Sequence, residues 1–393
     1  MIETQTPPGA KGMLDARASA AHLAGMRIVV AMSGGVDSSV VAGLMAEAGH
    51  EVIGITMQLY NHGASAGRKG ACCAGQDIHD ARRVADRLRI AHYVLDMEAQ
   101  FRRAVIEDFA DTYARGQTPI PCLRCNQHLK FTDLLKVARD LGAEALATGH
   151  YARIAPSPEG PALHRAADAA RDQSYFLFAL RRADLGFLRF PLGALPKAEV
   201  RAQAARLGLP VAAKPDSQDI CFVPSGRYTD VVARLRPEAV QPGEVVTEDG
   251  AVVGRHDGIA HYTVGQARRL GAASWRGGER MRVVAIDAAR RRVVVGPCEA
   301  LGRRAAVARE VTWLIDPPVG PLRCAVKLRG REAPQPATVV WDGERARIAL
   351  AAPATVAPGQ AAVFYDGDRV LGGGIIAAAS VDSASVRDVS PIT

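Results

Sequence analysis

The sequence predicts an α/β domain built on a doubly wound parallel sheet, followed by a small mixed β domain and a C-terminal β-barrel. Three observations lead to this fold class. From Met26 to Pro215, short apolar runs alternate with helical segments, an order typical of parallel sheets covered by helices. Between residues 216 and 296 the helical spacing fades. From residue 297 onward, alternating runs flank turn dipeptides such as Asp342-Gly343, a pattern typical of antiparallel strands.

The apolar spacing assigns each element in order. In the first region it predicts strands at Arg27–Ala31, Val52–Leu59, His92–Asp96 and Ala145–Ala147, and helices at Ser38–Ala48, Asp77–Leu88, Ala99–Gly116 and Asn126–Leu141. Later it predicts the hairpins Met281–Ile286 with Arg292–Gly296, Thr338–Trp341 with Ala346–Leu350, and Ala361–Tyr365 with Arg369–Ile376. We therefore expect a flexible tail at residues 1–25, an α/β domain at 26–215, a central domain at 216–296 and a barrel at 297–393.

Composition narrows the function classes. Of 393 residues, 48% are hydrophobic and 23% charged, values ordinary for a globular protein. No segment approaches the roughly 18 consecutive apolar residues of a membrane span, and the first 25 residues do not form a signal peptide. We therefore expect a cytoplasmic protein without a membrane partner. Its seven cysteines are then catalytic, metal-binding or inert rather than a disulfide framework.

The net charge of +8 comes mostly from arginine, which suits phosphate recognition. A polyanionic partner such as a nucleic acid would fit this charge. Charge alone does not establish that partner, because a chain rich in Ala, Arg and Gly can reflect genomic composition.

The most informative segment joins the first strand to the first helix, and it reads Ala31-Met32-Ser33-Gly34-Gly35-Val36-Asp37-Ser38-Ser39. Backbone N–H groups at a helix N-terminus bind anionic oxygens. Gly34 and Gly35 permit a tight turn, and Asp37 can hold Mg²⁺ against a pyrophosphate. The segment has neither G-x-x-x-x-G-K-[ST] nor G-x-G-x-x-G, which excludes an ordinary P-loop NTPase and a Rossmann dehydrogenase. The alternative is a Gly-Gly turn with Ser and Asp as helix caps.

Three cysteines form the second candidate site. Cys122 and Cys125 belong to Thr118–Asn126, which runs into the helix predicted from Asn126, and Cys221 belongs to Lys214–Phe222. The positive end of a helix dipole lowers the pKa of a nearby thiol from about 8.5 toward neutrality, and Arg124 would add to that effect. A structural role or half of a zinc site are alternatives, although no second C-x-x-C pair exists. We expect Cys298 and Cys324 to be inert.

Several motifs together resemble a known family. The loop at 31–39 resembles the SGG-x-DS loop of N-type ATP pyrophosphatases (the PP-loop superfamily). With T-P-x-P-C-x-x-C-N-x-x-x-K-F at 118–131, D-S-Q-x-I-C-F at 216–222, Thr148–Arg153, Arg171–Leu177 and His261–Gln266, the chain resembles the tRNA-specific 2-thiouridylase family (MnmA, also called TrmU) over nearly its whole length. Two positions depart from that family. Many members have Asp at Cys122, and Arg269 stands where members usually have Gly.

The resemblance implies an ATP- and Mg²⁺-dependent tRNA-uridine 2-sulfurtransferase that adenylates the wobble uridine. It implies that Cys125 is the nucleophile, that Cys221 carries a persulfide, and that Asp37 acts with the metal. It places ATP on Ala31, Met32, Ser33, Gly34, Gly35, Val36, Asp37, Ser38, Met57 and Gly149. It places tRNA and its target base on Pro119, Ile120, Pro121, Cys122, His150, Arg171, Asp172, Gln173, Arg329, Gly330 and Gln360.

Several alternatives stay open at this point. Cys122, Cys125 and Cys221 could instead ligate a [4Fe–4S] cluster. The chain could be another SGG-x-DS adenylating ligase, or an RNA-binding protein without catalysis. The resemblance also implies a sulfur donor, either a cysteine desulfurase or a sulfur-relay protein. We expect a monomer that binds one tRNA.

Overall fold

The computed structural model describes residues 25–60, 73–216, 220–223 and 226–377. The expected tail, except for Gly25, and Cys72 lie outside these residues. The chain forms two compact units. Unit 1 comprises Met1–Arg102, Asn126–Ser174 and Arg182–Gln218, and unit 2 comprises Arg103–Cys125, Tyr175–Arg181 and Asp219–Thr393.

The helices, in chain order, are α1 (Val36–Glu47), α2 (Cys73–Leu88), α3 (Glu98–Phe101), α4 (Asp108–Ala114), α5 (Pro121–Arg124), α6 (Leu135–Asp140), α7 (Lys197–Arg206) and α8 (Tyr228–Leu235). The strands are β1 (Arg27–Ala31), β2 (Glu51–Gln58), β3 (Ala91–Asp96), β4 (Ala145–Thr148), β5 (Ala152–Ser157), β6 (Gly160–Arg165), β7 (Leu188–Arg189), β8 (Gly243–Thr247), β9 (Val252–His256), β10 (Trp275–Arg276), β11 (Glu279–Arg280), β12 (Arg282–Asp287), β13 (Arg292–Gly296), β14 (Gly302–Trp313), β15 (Leu322–Lys327), β16 (Gln335–Trp341), β17 (Ala346–Thr355), β18 (Ala361–Asp366) and β19 (Arg369–Ile376).

Unit 1 is built on a five-stranded sheet in the order β3-β2-β1-β4-β7, with every neighbouring pair parallel. Its central strand β1 buries Ile28, Val29 and Val30 completely. Side chains of one strand point alternately to the two faces, so both faces of the sheet are covered. Val40 of α1 and Val200 of α7 join the same apolar core. The predicted parallel sheet is therefore confirmed.

Three helical segments follow one another without a break from Pro121 to Asp140. They are α5, a π-helical segment at Cys125–Leu134, and α6. The helix was predicted to begin near Asn126, and that boundary is wrong. Pro121 occupies the first helical turn, where its fixed φ suits a helix and its missing N–H costs nothing. Cys122 therefore lies in the first turn, and Cys125 lies one turn further on.

Unit 2 contains a four-stranded sheet in the order β12-β13-β8-β9, in which β13 and β8 are parallel and the other pairs antiparallel. The predicted hairpin of β12 and β13 is confirmed. Val245, Val283, Val293 and Val295 of this sheet share one apolar cluster. This sheet corresponds to the small mixed β domain expected from the fading helical pattern.

Six further strands of unit 2, β14 to β19, close into an antiparallel barrel, while β10 and β11 form a separate hairpin. The order in the barrel is β14-β17-β16-β15-β18-β19, and β19 pairs back with β14. The sequence did not predict β14, because its register shifts between Arg309 and Thr312 and Glu310 adopts a φ of 52°. Such a bulge interrupts the alternation of apolar and polar residues.

Among the described residues, no helix is long and apolar enough to cross a membrane.

Candidate active site

The glycine-rich loop leaves the sheet of unit 1 at its carboxyl edge. Ala31, the last residue of β1, is in register with Ile55 of β2 and with Thr148 of β4. Parallel strands end at a common edge, so Met57 near the end of β2 and Gly149 just after β4 lie at the same edge as the loop. Ligands of open α/β sheets bind at such an edge.

Two glycines allow close packing around this loop. Gly34 has a φ of +72°, and a Cβ atom there would lie 2.2 Å from the carbonyl oxygen of Asp77. A Cβ atom on Gly149 would lie 2.9 Å from the amide nitrogen of Ser38. The Ser38 hydroxyl accepts a hydrogen bond from Ser33 N at 3.1 Å. No side chain caps the N-terminus of α1, which suits the N–H groups of its first turn for the oxygens of a phosphate ligand.

Asp37 is the charged residue of this loop, and two side chains hold its carboxylate. Lys197 Nζ lies 2.6 Å from Asp37 Oδ1, and the Tyr151 hydroxyl donates to the same oxygen at 2.9 Å. Burial and the adjacent Asp37 charge raise the pKa of Tyr151 far above its ordinary value, so the phenol keeps its proton and donates. The other carboxylate oxygen can face a metal ion that accompanies a phosphate.

Lys197 also joins Asp37 to a second carboxylate, because its Nζ lies 2.9 Å from Asp216 Oδ1. Arg171 and Arg201 contact Asp216 at 3.0 Å and 2.8 Å. Burial by itself would raise the pKa of Asp216, but the Lys197 hydrogen bond and the three cations outweigh it and lower that pKa. The three cations thus offset the charge of the two carboxylates, so this cluster does not repel an anionic ligand.

A second lysine fixes the loop from the side of α2. Lys214 Nζ donates to the carbonyl oxygen of Gly34 at 3.0 Å and contacts Asp77 and Asp80 at 2.8 Å and 2.7 Å. Burial opposes the charge of Lys214, yet its hydrogen bonds to these two carboxylates raise its pKa above the ordinary value. The ammonium group therefore ties the turn at Gly34 to α2.

Sequence reasoning missed the residues that complete this network. Tyr151 and Asp216 stood inside motifs quoted for the family resemblance, and Lys214 lay two residues before one of them, but no role was assigned to any of the three. Lys197 belonged to no motif at all. Its only sequence signal was a lysine directly after Pro196 at a helix start. Only the fold brings it to Asp37, which is 160 residues away in the chain.

The three cysteines belong to unit 2 and differ in exposure. Cys122 and Cys221 are exposed, whereas Cys125 is buried. Phe222, the neighbour of Cys221, is buried and packs its ring edge-on against Phe109 at a centroid distance of 5.2 Å. That contact anchors the chain beside Cys221 and leaves its thiol accessible. Ser217–Asp219 of the same motif lie outside the described residues.

Arg124 does not act as a free charge beside the cysteines. It lies 2.8 Å from Glu310 and 3.4 Å from Asp108.

The alternative that the three cysteines ligate a [4Fe–4S] cluster finds no support. Within the described ranges, which include Cys122, Cys125 and Cys221, no group of three or more Cys, His, Asp or Glu side chains could hold a metal ion.

The segment predicted to lie near the target base is held by the turn that contains Gln360. Thr118 N donates to Pro358 O at 2.8 Å, and Gln360 Nε2 donates to Thr118 O at 3.3 Å. Gly359 has a φ of +87°, and a Cβ atom there would lie 2.7 Å from Thr118 O. The fold thus brings Gln360 to the start of Pro119–Cys122, 242 residues away.

The predicted tRNA ligands between 150 and 173 have different surroundings. The carboxylate of Asp172 is buried, and it accepts hydrogen bonds from Ala166 N at 3.1 Å and from the Ser174 hydroxyl at 3.0 Å. Gln173 Oε1 accepts from Tyr151 N at 2.9 Å. Arg171 keeps an exposed side chain while it contacts Asp216. Asp172 and Gln173 therefore shape the loop that presents Arg171.

Arg329 and Gly330 lie on the loop after β15, within unit 2. Arg329 donates to Val264 O at 2.9 Å. A Cβ atom on Gly330 would come within 3.2 Å of the Phe176 ring. Arg329 therefore lies beside the turn at Gly265-Gln266, although this turn and the loop after β15 are far apart in sequence.

His150 is built into an aromatic cluster. Its ring lies 5.6 Å from that of Phe131 and 5.9 Å from that of Phe190, and its Nδ1 contacts the Thr148 hydroxyl at 2.7 Å. Burial, helped by the Lys130 charge, holds the pKa of His150 well below its ordinary range. The imidazole is therefore neutral at pH 7.

Burial lowers the pKa of four further histidines, and the five together are His50, His92, His150, His256 and His261. Below pH 6.5 the unfolded chain binds protons that the folded chain excludes. We therefore expect the free energy of unfolding to fall from pH 7 to pH 5, by up to about 1.4 kcal/mol per pH unit per histidine. Urea titrations at each pH measure this loss.

The variant His150→Asn should lessen this pH dependence, whereas replacement of the exposed His79 by Asn is the matched control. An unfolding free energy that stays constant between pH 7 and pH 5 in the wild-type protein would contradict the expectation.

The parallel sheet, with an SGG-x-DS loop between β1 and α1, defines an α/β domain of the ATP-pyrophosphatase class. The family model described as the tRNA methyl transferase HUP domain matches residues 26–225. Models described as the tRNA methyl transferase PRC-barrel domain and the aminomethyltransferase beta-barrel domain match residues 229–297 and 303–376.

Relatives that match most of this chain carry the name tRNA-specific 2-thiouridylase. The tRNA-specific 2-thiouridylase MnmA of Acidiphilium cryptum is 68% identical over 352 residues, which cover 89% of this chain and 100% of that protein. The proteins of the same name from Rhodospirillum centenum and Gluconobacter oxydans are 60% and 58% identical, over 91% and 90% of this chain and 93% and 99% of their own lengths. The chain belongs to the tRNA-specific 2-thiouridylase family.

Proposed function

We propose that this protein catalyses the ATP-dependent 2-thiolation of the wobble uridine of tRNA, by adenylating the C2 oxygen and then replacing it with sulfur. The observation that carries the proposal is the network at the loop, where Lys197 links Asp37 to Asp216 beside an uncapped helix N-terminus. Family membership supports tRNA as the class of substrate. The network supports a site at the loop where the pyrophosphate leaving group would be bound.

In the first half of the reaction, the C2 oxygen of the flipped uridine attacks the α-phosphorus of ATP, and pyrophosphate leaves. Backbone N–H groups of Gly34–Ser38 would hold the phosphate oxygens, and Lys197 would stabilise the charge that grows on the leaving group. Asp37 would hold Mg²⁺, which neutralises charge on the pyrophosphate when it is bound. Met57 and Gly149 would lie along the adenine and ribose, at the sheet edge beside the loop.

In the second half, sulfur replaces the adenylated oxygen. Cys221 receives a sulfane sulfur from a cysteine desulfurase or a sulfur-relay protein and becomes a persulfide. Its exposed thiol suits delivery by another protein. By one route the Cys125 thiolate attacks the Cys221 sulfur, and the hydrosulfide released attacks C2. By the other route the persulfide attacks C2 first, and Cys125 then cleaves the S–S bond.

Both routes expel AMP and end in the same redox state. The C2 carbon gains one sulfur, and Cys125 and Cys221 are left joined by a disulfide. A dithiol reductant returns two electrons and two protons to the pair before the next turnover. Cys125 is buried, which would shield its thiol from unrelated oxidants between turnovers.

Residues of both units would bind the tRNA. His150, Arg171, Arg329, Gly330 and Gln360 are proposed contacts. Asp172 and Gln173 would act mainly by holding the loop of Arg171, because their side chains are engaged within unit 1. Pro119–Cys122 would lie near the target base. We assign the ATP chemistry to the domain at 26–215 and propose the domain at 216–296, which carries Cys221, as a central tRNA-binding or linker domain. The barrel at 297–393 carries the proposed contacts Arg329, Gly330 and Gln360.

The direct test is anaerobic incubation of the purified protein with ATP, Mg²⁺, a cysteine desulfurase and cysteine as the source of sulfane sulfur, a dithiol reductant, and unmodified tRNA that carries a wobble uridine. Nucleoside mass spectrometry is expected to show 2-thiouridine at the wobble position and none without ATP. Parallel reactions with and without reconstituted iron test the cluster alternative. No thiouridine under either condition, with tRNA still bound, would favour a non-catalytic RNA-binding protein.

A further inference from the structure

Unit 2 contains a cavity that the proposed reaction does not use. It has a volume of about 600 Å³, and its lining includes Arg268, Arg269, Arg280 and Arg282 together with Tyr228 and His261. Pockets of roughly 300–1,000 Å³ accept ligands of nucleotide size. Among the described residues, no carboxylate lines this cavity.

The four guanidinium groups of the cavity differ in their ion pairing from other arginines of unit 2. Other arginines of unit 2 have carboxylate partners, such as Arg124 with Glu310 at 2.8 Å and Arg292 with Glu244 at 3.0 Å. Within the part of the chain that the structure describes, the four cavity arginines have no such partner. Their contacts include a bond from Arg282 Nη1 to a backbone carbonyl at 3.3 Å. A guanidinium group has five N–H donors, so most of them remain available to an anionic ligand.

His261 lines the cavity, and the charges of Asp230 and Asp257 act to raise its pKa against the effect of burial. Neither aspartate lines the cavity itself. Asp230 accepts a hydrogen bond from Arg227 N at 3.1 Å, as part of the helix cap of α8. The cavity therefore keeps an excess of positive charge.

Arg269 adopts a backbone conformation that glycine would adopt more easily. Its φ is 66°, in the left-handed region where a Cβ atom is unfavourable. The Tyr262 hydroxyl donates to Arg269 O at 3.0 Å, and Gln266 Nε2 donates to Arg268 O at 2.9 Å. These bonds hold the loop in place. Strained residues that the surroundings hold in this way are concentrated at binding sites.

An exposed aromatic residue lies beside the arginines. Trp275 is 62% exposed and is paired directly with Arg280 across the β10–β11 hairpin. Side chains of directly paired residues lie on the same face of a hairpin. An indole at the edge of a cationic cavity offers a stacking surface for a base, as in proteins that bind single-stranded nucleic acid.

We propose that this cavity binds phosphates of the sugar–phosphate backbone of the tRNA substrate, with Arg269 as one phosphate ligand and Trp275 as a stacking surface. The proposal rests on the proposed function, whose substrate is a tRNA. Four guanidinium groups around a cavity of about 600 Å³ offer more N–H donors than a single small anion can accept, and a polyanion with several phosphates matches them. The indole adds a contact that a free phosphate could not use.

The variant Arg269→Gly tests this proposal, because glycine accepts the left-handed backbone and should leave Tm unchanged or higher. We expect the Kd for tRNA to rise roughly 10-fold at 0.1 M salt, and the slope of log K against log salt to become shallower by about 0.7–0.9. The matched control is Arg89→Gly, which removes an exposed arginine whose φ is 55° and which lies outside the cavity. That control should bind tRNA as the wild-type protein does.

Kinetics separate this role from catalysis, because the effect of Arg269→Gly should fall on KM for tRNA far more than on kcat. Fluorescence of Trp275 should be quenched by tRNA and not by inorganic pyrophosphate, with Trp275→Phe as the reference. Equal losses in the Arg269 and Arg89 variants would overturn the site. The proposal would also be overturned by a different result with pyrophosphate. In that result, pyrophosphate raises the Tm of the wild-type protein and of Arg89→Gly but not that of Arg269→Gly, while the tRNA affinity of Arg269→Gly is unchanged. Since binding is measured without turnover, failure of the thiolation assay would not affect this result.

Discussion

Cys221→Ser and Cys125→Ser are each expected to lower the rate of 2-thiouridine formation at least about 10³-fold, because a hydroxyl group can neither carry a persulfide nor cleave one. The tRNA affinity of both variants should stay close to that of the wild-type protein. Nucleoside mass spectrometry with a cysteine desulfurase as sulfur donor measures the product. Filter binding measures the affinity for tRNA.

Cys298→Ser is the matched control, since Cys298 is also an exposed thiol of unit 2. It should thiolate tRNA at the wild-type rate. The two proposed cysteines should also differ from each other: only the wild-type protein and Cys125→Ser should accept labelled sulfur from the donor. Thiolation that persists in Cys221→Ser with this donor would remove the persulfide from Cys221. Unchanged thiolation in Cys125→Ser would leave the nucleophile unassigned.

Asp37→Ala is expected to lower adenylation by at least about 10²-fold, because it removes a proposed metal ligand where negative charge develops. Lys197 should keep its contact with Asp216, which lies 2.9 Å from its Nζ, so the buried ammonium group does not lose its only carboxylate partner. The fold should therefore tolerate the change. Release of pyrophosphate in the presence of tRNA measures the adenylation step without the sulfur chemistry.

Tyr151→Phe is the graded control for Asp37. It removes only the hydroxyl that donates to Asp37 at 2.9 Å, and it keeps the ring. We expect a loss of about 10-fold, because one hydrogen bond to a charged group contributes roughly 1.5 kcal/mol, which corresponds to about one factor of 10 in rate. Pyrophosphate release that survives in Asp37→Ala would take Asp37 out of the metal site. A Tyr151→Phe loss as large as that of Asp37→Ala would instead assign the larger role to the tyrosine.

Local pattern was enough to predict most of the fold. In β1 the run of Ile28, Val29 and Val30 marks a strand buried on both faces, and the following SGG-x-DS segment marks a loop and a helix start. Turn dipeptides such as Asp342-Gly343 placed a hairpin of the barrel correctly. Prediction failed where the local pattern is interrupted. The bulge at Glu310 concealed β14, and the helix that begins at Pro121 was placed too late.

The proposed phosphate-binding loop could be recognised from sequence because its features are local: glycines that permit the turn, a helix start that offers N–H groups, and one aspartate as the proposed metal ligand. The partners of that aspartate could not. A lysine or tyrosine in isolation carries no signal of the carboxylate it will meet, since that meeting depends on how the strands and helices pack.

By itself, the sequence determined the fold class, the family motifs and the residue types that can do the chemistry, because these depend on short-range periodicity and spacing. Tertiary structure alone decided which charges share a site. It brought Lys197 to Asp37 and Asp216, and among the described residues it left the four cavity arginines, Arg269 included, without carboxylate partners. The physical reason is that charges interact through space, over distances set by packing and not by separation along the chain.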